Sequence, residues 1–186
     1  WAGGKLLLSD VLYATRVGND VIAVPTANTA YIQSGEKRVR GIELGAIGRI
    51  TDAWSVSAGY TIMDTDVAKG PAVTTDGSNN LAYTPRNAFT SWTSYDFGNG
   101  LTIGGGMRYN GEMHRGTDGA VGTPAYTEAY WVADAMASYA FNENFDLRLN
   151  LYNLFDKEYV AAINKSGYRY IPGTPRTALL TANFRF

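Results

Sequence analysis

Cysteine is absent from the 186 residues, which excludes disulfide staples, Cys-ligated zinc, iron–sulfur clusters and thiol nucleophiles. Histidine occurs once, at His114, so neither a Ser/His/Asp set nor a multi-histidine metal site can be assembled. Charge of one sign is also lacking. The formal net charge is −1 and no run of five Lys or Arg occurs, which argues against nucleic acid as a partner. No apolar run approaches the roughly 18 residues of a membrane-spanning helix, and no charged-then-apolar leader opens the chain. There is no initiator Met. The chain starts at Trp1-Ala2-Gly3-Gly4-Lys5 and reads as a fragment or processed piece.

What is present is glycine (21) and tyrosine (13), and a hydrophobic rhythm of two rather than 3.6. Trp54, Val56, Ala58, Tyr60 and Ile62 alternate with Ser55, Ser57, Gly59, Thr61 and Met63. Leu101, Ile103, Gly105, Met107 and Tyr109 alternate with Thr102, Gly104, Gly106, Arg108 and Asn110. The same holds for Trp131 to Phe141, Phe145 to Leu151, Ala178 to Phe186 and Ile42 to Ile50. Segments 5–16 and 84–96 are strand-like without a clear phase. Eight strands are expected. Their connections alternate between tight turns (51–53, 96–100, 142–144) and long loops (17–36, 66–83, 112–127, 158–175).

Tight turns on one rim and long loops on the other are the asymmetry of outer-membrane barrels. A soluble sandwich or barrel with one buried face is the competing account, and it gives no reason for every long loop to share an end. In hydrocarbon, unpaired backbone groups cost several kcal/mol each, so a sheet there must close. Trp54, Phe141, Phe145, Phe184 and Phe186 fall at turn ends, and Tyr60 and Tyr109 nearer loop ends, as two interfacial girdles would. The chain ends on Phe186 in an alternating segment, the feature by which the barrel assembly machinery reads a closing strand.

The run Asn150-Leu151-Tyr152-Asn153-Leu154-Phe155-Asp156-Lys157-Glu158-Tyr159, with the tail Gly173 to Phe186, resembles the penultimate and closing strands of TonB-dependent receptors. Arg40-Gly41-Ile42-Glu43-Leu44, Trp54 to Thr61 and Tyr83-Thr84-Pro85-Arg86-Asn87 are similar to that family's recurring pattern, so the resemblance covers nearly the whole chain. Gly167-Tyr168-Arg169-Tyr170 before Pro172 to Thr177 is similar to catecholate-type siderophore receptors of the Fiu/PiuA subgroup. The resemblance implies an all-β, antiparallel transmembrane barrel of which residues 1–186 supply about eight C-terminal strands out of 22. It implies import of a ferric catecholate siderophore with TonB energy, and no enzyme. The family's plug and TonB-contacting box are not in this sequence, so the TonB complex would be met through a missing N-terminal region. Implied surroundings are the bacterial outer membrane, its lipid and LPS. No cofactor is implied beyond the ferric siderophore carried as ligand. A complete small eight-stranded barrel with a structural or adhesion role is the alternative.

A ferric catecholate is an anion with flat faces, and its capture needs cations beside aromatic rings. The loops offer Tyr168, Arg169 and Tyr170 together, His114 and Arg115, and Tyr31, Lys37 and Arg38. Taken singly, each is also readable as a rim aromatic or a solvated charge, and His114 as a solvated loop residue rather than an iron ligand. Asp64-Thr65-Asp66 and Asp76-Gly77-Ser78-Asn79-Asn80 are oxygen-rich without calcium-loop spacing and read as polar loop. Gly104-Gly105-Gly106 lacks the strand-to-helix context of a phosphate loop and reads as a packing device.

Overall fold

The structure, a computed structural model, describes residues 5–24, 30–74, 79–117, 119 and 121–186. Trp1 to Gly4 and Asp76-Gly77-Ser78 lie outside the described residues. Among the described residues twelve strands run β1 (Leu6–Ala23), β2 (Tyr31–Arg49), β3 (Trp54–Lys69), β4 (Asn87–Asp96), β5 (Leu101–Asn110), β6 (Met113–His114), β7 (Tyr126–Thr127), β8 (Tyr130–Asn142), β9 (Phe145–Tyr152), β10 (Val160–Ile163), β11 (Tyr170–Pro172) and β12 (Thr177–Phe184). Eight of them form one antiparallel sheet in the order β1-β2-β3-β4-β5-β8-β9-β12. The remaining four make two small two-stranded sheets, β6-β7 and β10-β11, inside the long loops after β5 and β9.

The tight turns share a rim. Asp96 N–H donates to the Ala53 carbonyl at 2.9 Å, Ala140 N–H to Gly100 at 2.9 Å, and Arg185 N–H to Asn144 at 3.0 Å, so turns 51–53, 97–100 and 143–144 stand side by side. The four longer connections therefore occupy the other rim. The expected first loop, 17–36, is corrected: β1 continues to Ala23 and β2 begins at Tyr31. The alternating Val17, Val21 and Ile32 favour extended backbone, and Lys37 to Asp20 at 2.6 Å ties the two strands. Asn19, at φ 57°, absorbs the bulge between Gly18 and Asp20. Likewise β3 runs on to Lys69, so the second loop starts at residue 70 rather than 66.

Register fixes the faces. Directly opposed residues in an antiparallel ladder share a side. Tyr60 opposes Phe89, Phe89 opposes Tyr109 and Tyr109 opposes Trp131, a row of four rings across four strands. Ring centroids are 4.8 Å apart for Tyr109 and Trp131 and 5.8 Å for Phe89 and Trp131. Toward the tight turns a second aromatic set appears on the same side: Tyr95 with Phe97 (4.9 Å), Tyr139 with Phe141 (4.9 Å), Phe141 with Phe145 (5.1 Å) and Phe145 with Phe184 (4.8 Å). Between the two sets lie Ile103, Met107, Leu149 and Leu180, all exposed, with Leu180 at 65%. Among the described residues the buried hydrophobics are Val67, Val132 and Ile163 alone. A water-soluble sandwich of this size would hide far more apolar surface, and an apolar band between aromatic girdles requires hydrocarbon outside it.

The opposite side carries Arg108, Asp134, Arg148, Asn150 and Trp92. Trp92 lies across the glycine run: a Cβ on Gly106 would stand 2.8 Å from its ring and 2.1 Å from the Ser91 carbonyl, and one on Gly104 3.1 Å from the ring. The run is thus a packing device. For the first strand, whose phase was ambiguous, the register places Leu6, Leu8, Asp10 and Leu12 on the apolar side. The closed small-barrel alternative is not what forms, since β1 and β12 sit at opposite edges of the sheet.

Candidate functional site in the long loops

The loop after β9 is anchored at its base by Asn153, 2% exposed, whose own φ of 50° turns the chain out of the strand. Its side-chain amide donates to the carbonyls of Lys157 and Thr174, each at 2.9 Å, and its side-chain oxygen accepts the Lys157 N–H at 2.8 Å. Asp156 accepts the Arg176 N–H at 2.9 Å. The outgoing and returning arms are therefore stapled together. This is the physical content of the Asn-Leu-Phe-Asp-Lys run: short side chains that tolerate positive φ and bridge backbone to backbone.

Above this base, β10 and β11 form a hairpin closed by Asn164, which accepts the Arg169 N–H at 3.1 Å and donates its own N–H to Arg169 at 2.8 Å. Tyr168 and Tyr170 stand out from the tip, 72% and 62% exposed, with Arg169 exposed between them. The neighbouring loop braces the hairpin. Thr123 Oγ1 donates to the Ser166 carbonyl at 3.1 Å, and a Cβ on Gly167 would stand 2.4 Å from Thr123 Oγ1 and 3.0 Å from Arg115 Nε. With φ 79°, Gly167 is needed both for its turn and for this close approach.

Arg115 has a role that composition did not reveal. It is 4% exposed, and its guanidinium donates to the carbonyls of Pro124 (2.6 Å) and Gly116 (3.0 Å) and to the Thr123 hydroxyl (3.2 Å). Its place is inside its loop rather than on the rim. His114 Nε2 lies 2.7 Å from a Glu112 carboxylate oxygen and its ring packs 5.5 Å from Tyr126. A cleft of about 370 Å³ opens beside it, lined among others by Asp64, Arg86, Asn87, Tyr109 and Glu112.

The residues of the first hairpin lie elsewhere. Tyr31 is exposed at the start of β2, and Lys37 is held by Asp20. Arg38 continues the apolar face beyond Ile42 and is ion-paired with Glu36 at 2.6 Å, so it points away from the polar side of the sheet. Arg16 first, then Arg38, holds the Glu36 carboxyl below the usual carboxylate range. On the opposite rim the Lys5 ammonium does the same to Asp52 in the tight turn. Arg108 and Asp134, which the alternation puts in the inward set, stand 3.5 Å apart on the polar side.

Residues 1–154 match the family described as TonB dependent receptor-like, beta-barrel. The chain belongs to the TonB-dependent receptors. It is 52% identical over 182 residues to the catecholate siderophore receptor Fiu of Escherichia coli K12, covering 98% of this chain and 24% of that protein. It superposes on the crystal structure of that ferric-catecholate import receptor in its closed form with a TM-score of 0.93, covering 98% of this chain and 25% of the other. Against the crystal structure of the siderophore receptor PiuA of Acinetobacter baumannii the TM-score is 0.85 at 34% identity, covering 98% and 26%. The chain thus spans about a quarter of the length of the relatives it matches. As in those receptors, the apolar side faces the lipid of the bacterial outer membrane, and the tight turns of an outer-membrane barrel are periplasmic.

Proposed function

We propose that residues 1–186 are the C-terminal strands of a receptor that imports a ferric siderophore of catecholate type, and that the hairpin tip Tyr168-Arg169-Tyr170 is its contact with that ligand. The observation that carries the reading is the tip itself: two exposed phenol rings flank a guanidinium on a hairpin fixed below by Asn153 and beside by Arg115 and Thr123. Rings supply faces for catechol stacking and Arg169 the charge opposite the anionic iron chelate. The iron is cargo, ligated by the siderophore. The likeness to Fiu supports the substrate class.

In this reading the plug and the TonB-contacting segment belong to residues outside this chain, and the energy for import enters there. Phe186, fully exposed past the end of β12, is offered to the assembly machinery. Arg115 is assigned to holding the loop rather than the ligand, and His114, paired with Glu112, to the wall of the neighbouring cleft. The test is a direct titration of the full-length receptor with a ferric catecholate. Arg169→Ala is expected to weaken binding by about 1.5–3 kcal/mol, roughly ten- to hundredfold, if the contact is desolvated in the complex. Unchanged affinity at normal surface expression removes Arg169 from the site.

A further inference from the structure

Beyond Ile42 on β2 and Ile62 on β3, the lipid-facing side changes from apolar to ionic. The next side chains on that side are Arg40, Arg38 and Glu36 of β2, Asp64 and Asp66 of β3, and Arg16 of β1, by direct register. Glu36 gathers the cations. Arg16 Nη2 lies 2.6 Å from its Oε2, Arg38 donates through Nε at 2.7 Å to its Oε1, and Lys69 Nζ comes within 4.0 Å. The carboxylate is 3% exposed, whereas Arg16, Arg38 and Lys69 are 66%, 56% and 67% exposed. The acid is recessed and the cations are presented. Arg40, 75% exposed, is paired with Asp64 at 2.8 Å. Counting Asp66, which opposes Arg38, four cations that are 56% to 75% exposed meet three carboxylates, of which Glu36 is recessed and Asp64 is half exposed.

Height locates the cluster. Arg40 and Trp131 each stand about ten residues above the lower ends of their strands, and ten residues of strand tilted at roughly 40° rise about 25 Å, the height of an outer-membrane barrel's apolar band. The cluster begins at the upper girdle and extends just above it, outside the barrel, where the siderophore does not pass. What lies there in the outer leaflet is the phosphorylated headgroup of lipopolysaccharide.

We propose that Arg16, Arg38 and Lys69, gathered around Glu36, bind the phosphates of lipid A. Two forked guanidinia and an ammonium around one recessed acid match a phosphate at close range, because guanidinium N–H pairs donate in parallel to phosphate oxygens. Glu36 acts here as a positioning residue: it holds two long side chains that would otherwise lose rotamer freedom on binding. The inference rests on the outer-membrane placement of the chain and is independent of the siderophore.

The test is native mass spectrometry of the full-length receptor in mild detergent, titrated with bisphosphoryl lipid A, monophosphoryl lipid A and inorganic pyrophosphate. Ferric-catecholate binding is measured on the same preparations. Wild type is expected to retain bisphosphoryl lipid A and to hold the monophosphoryl form several-fold less. Arg16→Ala with Arg38→Ala is expected to weaken retention about tenfold or more while siderophore affinity stays unchanged. Glu36→Gln, which leaves the cations but not their organiser, is expected to weaken it less. If the double variant does not fold, the two lipid forms on wild type still decide. Equal retention of both forms, equal retention by wild type and the folded double variant, or displacement of lipid by pyrophosphate at similar concentration overturns the proposal. Lipid A retention without siderophore binding would count against the transport reading and leave this site standing.

Discussion

The backbone N–H of Asn153 donates to the Asp134 carboxylate at 2.9 Å, so the first residue of the last long loop is tied to a side chain on β8, the neighbouring strand. Asp134 also faces Arg108 at 3.5 Å, which carries the connection on to β5. The base of the loop is therefore fixed to the barrel wall on its polar side, and the tip above it inherits a defined position.

Asn153→Ala should destabilise this base by about 2–4 kcal/mol, since it deletes three part-buried side-chain hydrogen bonds and places a residue with Cβ at φ 50° without local compensation. Asn153→Gly relieves the backbone cost but not the lost bonds. The urea midpoint of the detergent-folded receptor, with protease sensitivity of residues 154–176, is the measurement, and Gly is expected to fall between wild type and Ala. Equal midpoints for all three would show that the base is held by something other than this amide.

How much of this was readable beforehand follows from the physics of alternation. A period of two needs only the neighbouring residues, so the face of Leu147, Leu149, Leu180 and Phe184 and the rim of the tight turns could be assigned from sequence. The β1–β2 hairpin was underestimated because its upper part alternates charged with apolar residues and Gly18-Asn19 looks like a turn; only the partner strand shows that Asn19 sits in a bulge. The loop site was legible in part. Tyr168 to Tyr170 stood out as a triplet, but Arg115 reads the same in sequence whether it faces a ligand or its own loop's carbonyls. Arg38 likewise points to either side depending on a register that sequence does not state.

The face assignment predicts an asymmetry between adjacent residues. Leu149→Arg places a guanidinium against lipid near the middle of β9 and should cost about 2–4 kcal/mol of folding stability, whereas Asn150→Arg, on the polar side with Arg148 two residues away, should cost far less. Refolding yield and urea midpoints in lipid vesicles give the comparison. Equal losses would mean that the two sides of β9 do not differ in solvent.

Glu36 predicts a pH dependence of the first hairpin. Its folded pKa is depressed below the ordinary 4.5 by Arg16 and then Arg38, so its contribution is present above that value and is lost as the pH falls through the lower folded value. Glu36→Gln should therefore lower the thermal midpoint at pH 7 and lower it by less at pH 3, which lies below the ordinary value. A gap that is the same at both pH values would show that the carboxylate's charge contributes nothing there.

Arg115 separates bracing from binding. Because its guanidinium is spent on Pro124, Gly116 and Thr123, Arg115→Ala should loosen the loop 111–129 and, through Thr123 and Ser166, the hairpin β10–β11 as well. Hydrogen exchange at residues 164–170 should rise in that variant, and siderophore affinity should fall mainly through a faster off-rate. Faster exchange confined to 111–129 would show that the two loops are not coupled.

The sheet's open edges make a prediction about the 186 residues on their own. β1 pairs with β2 and β12 with β9, and the outer sides of β1 and β12 carry backbone groups that no neighbouring strand of this sheet reaches. In lipid each such group costs several kcal/mol, and β1 alone is 18 residues long, so an open sheet cannot remain in the bilayer. In water the same edges pair with other copies, and the exposed apolar band adds to the drive. Closure on itself would remove the edges, since eight strands suffice for a small barrel, but the lumen would then have to take Trp92, Tyr13, Arg108 and Arg148 together. Trp92 already fills the space over Gly104 and Gly106, and Tyr13 that over Gly41, so little room is left for side chains from a facing wall. Refolded alone into detergent, the chain should give no compact species whose gel mobility changes on boiling, and should sediment as mixed oligomers. A heat-modifiable monomer would show that these strands close without further ones, and would return the small-barrel alternative to consideration.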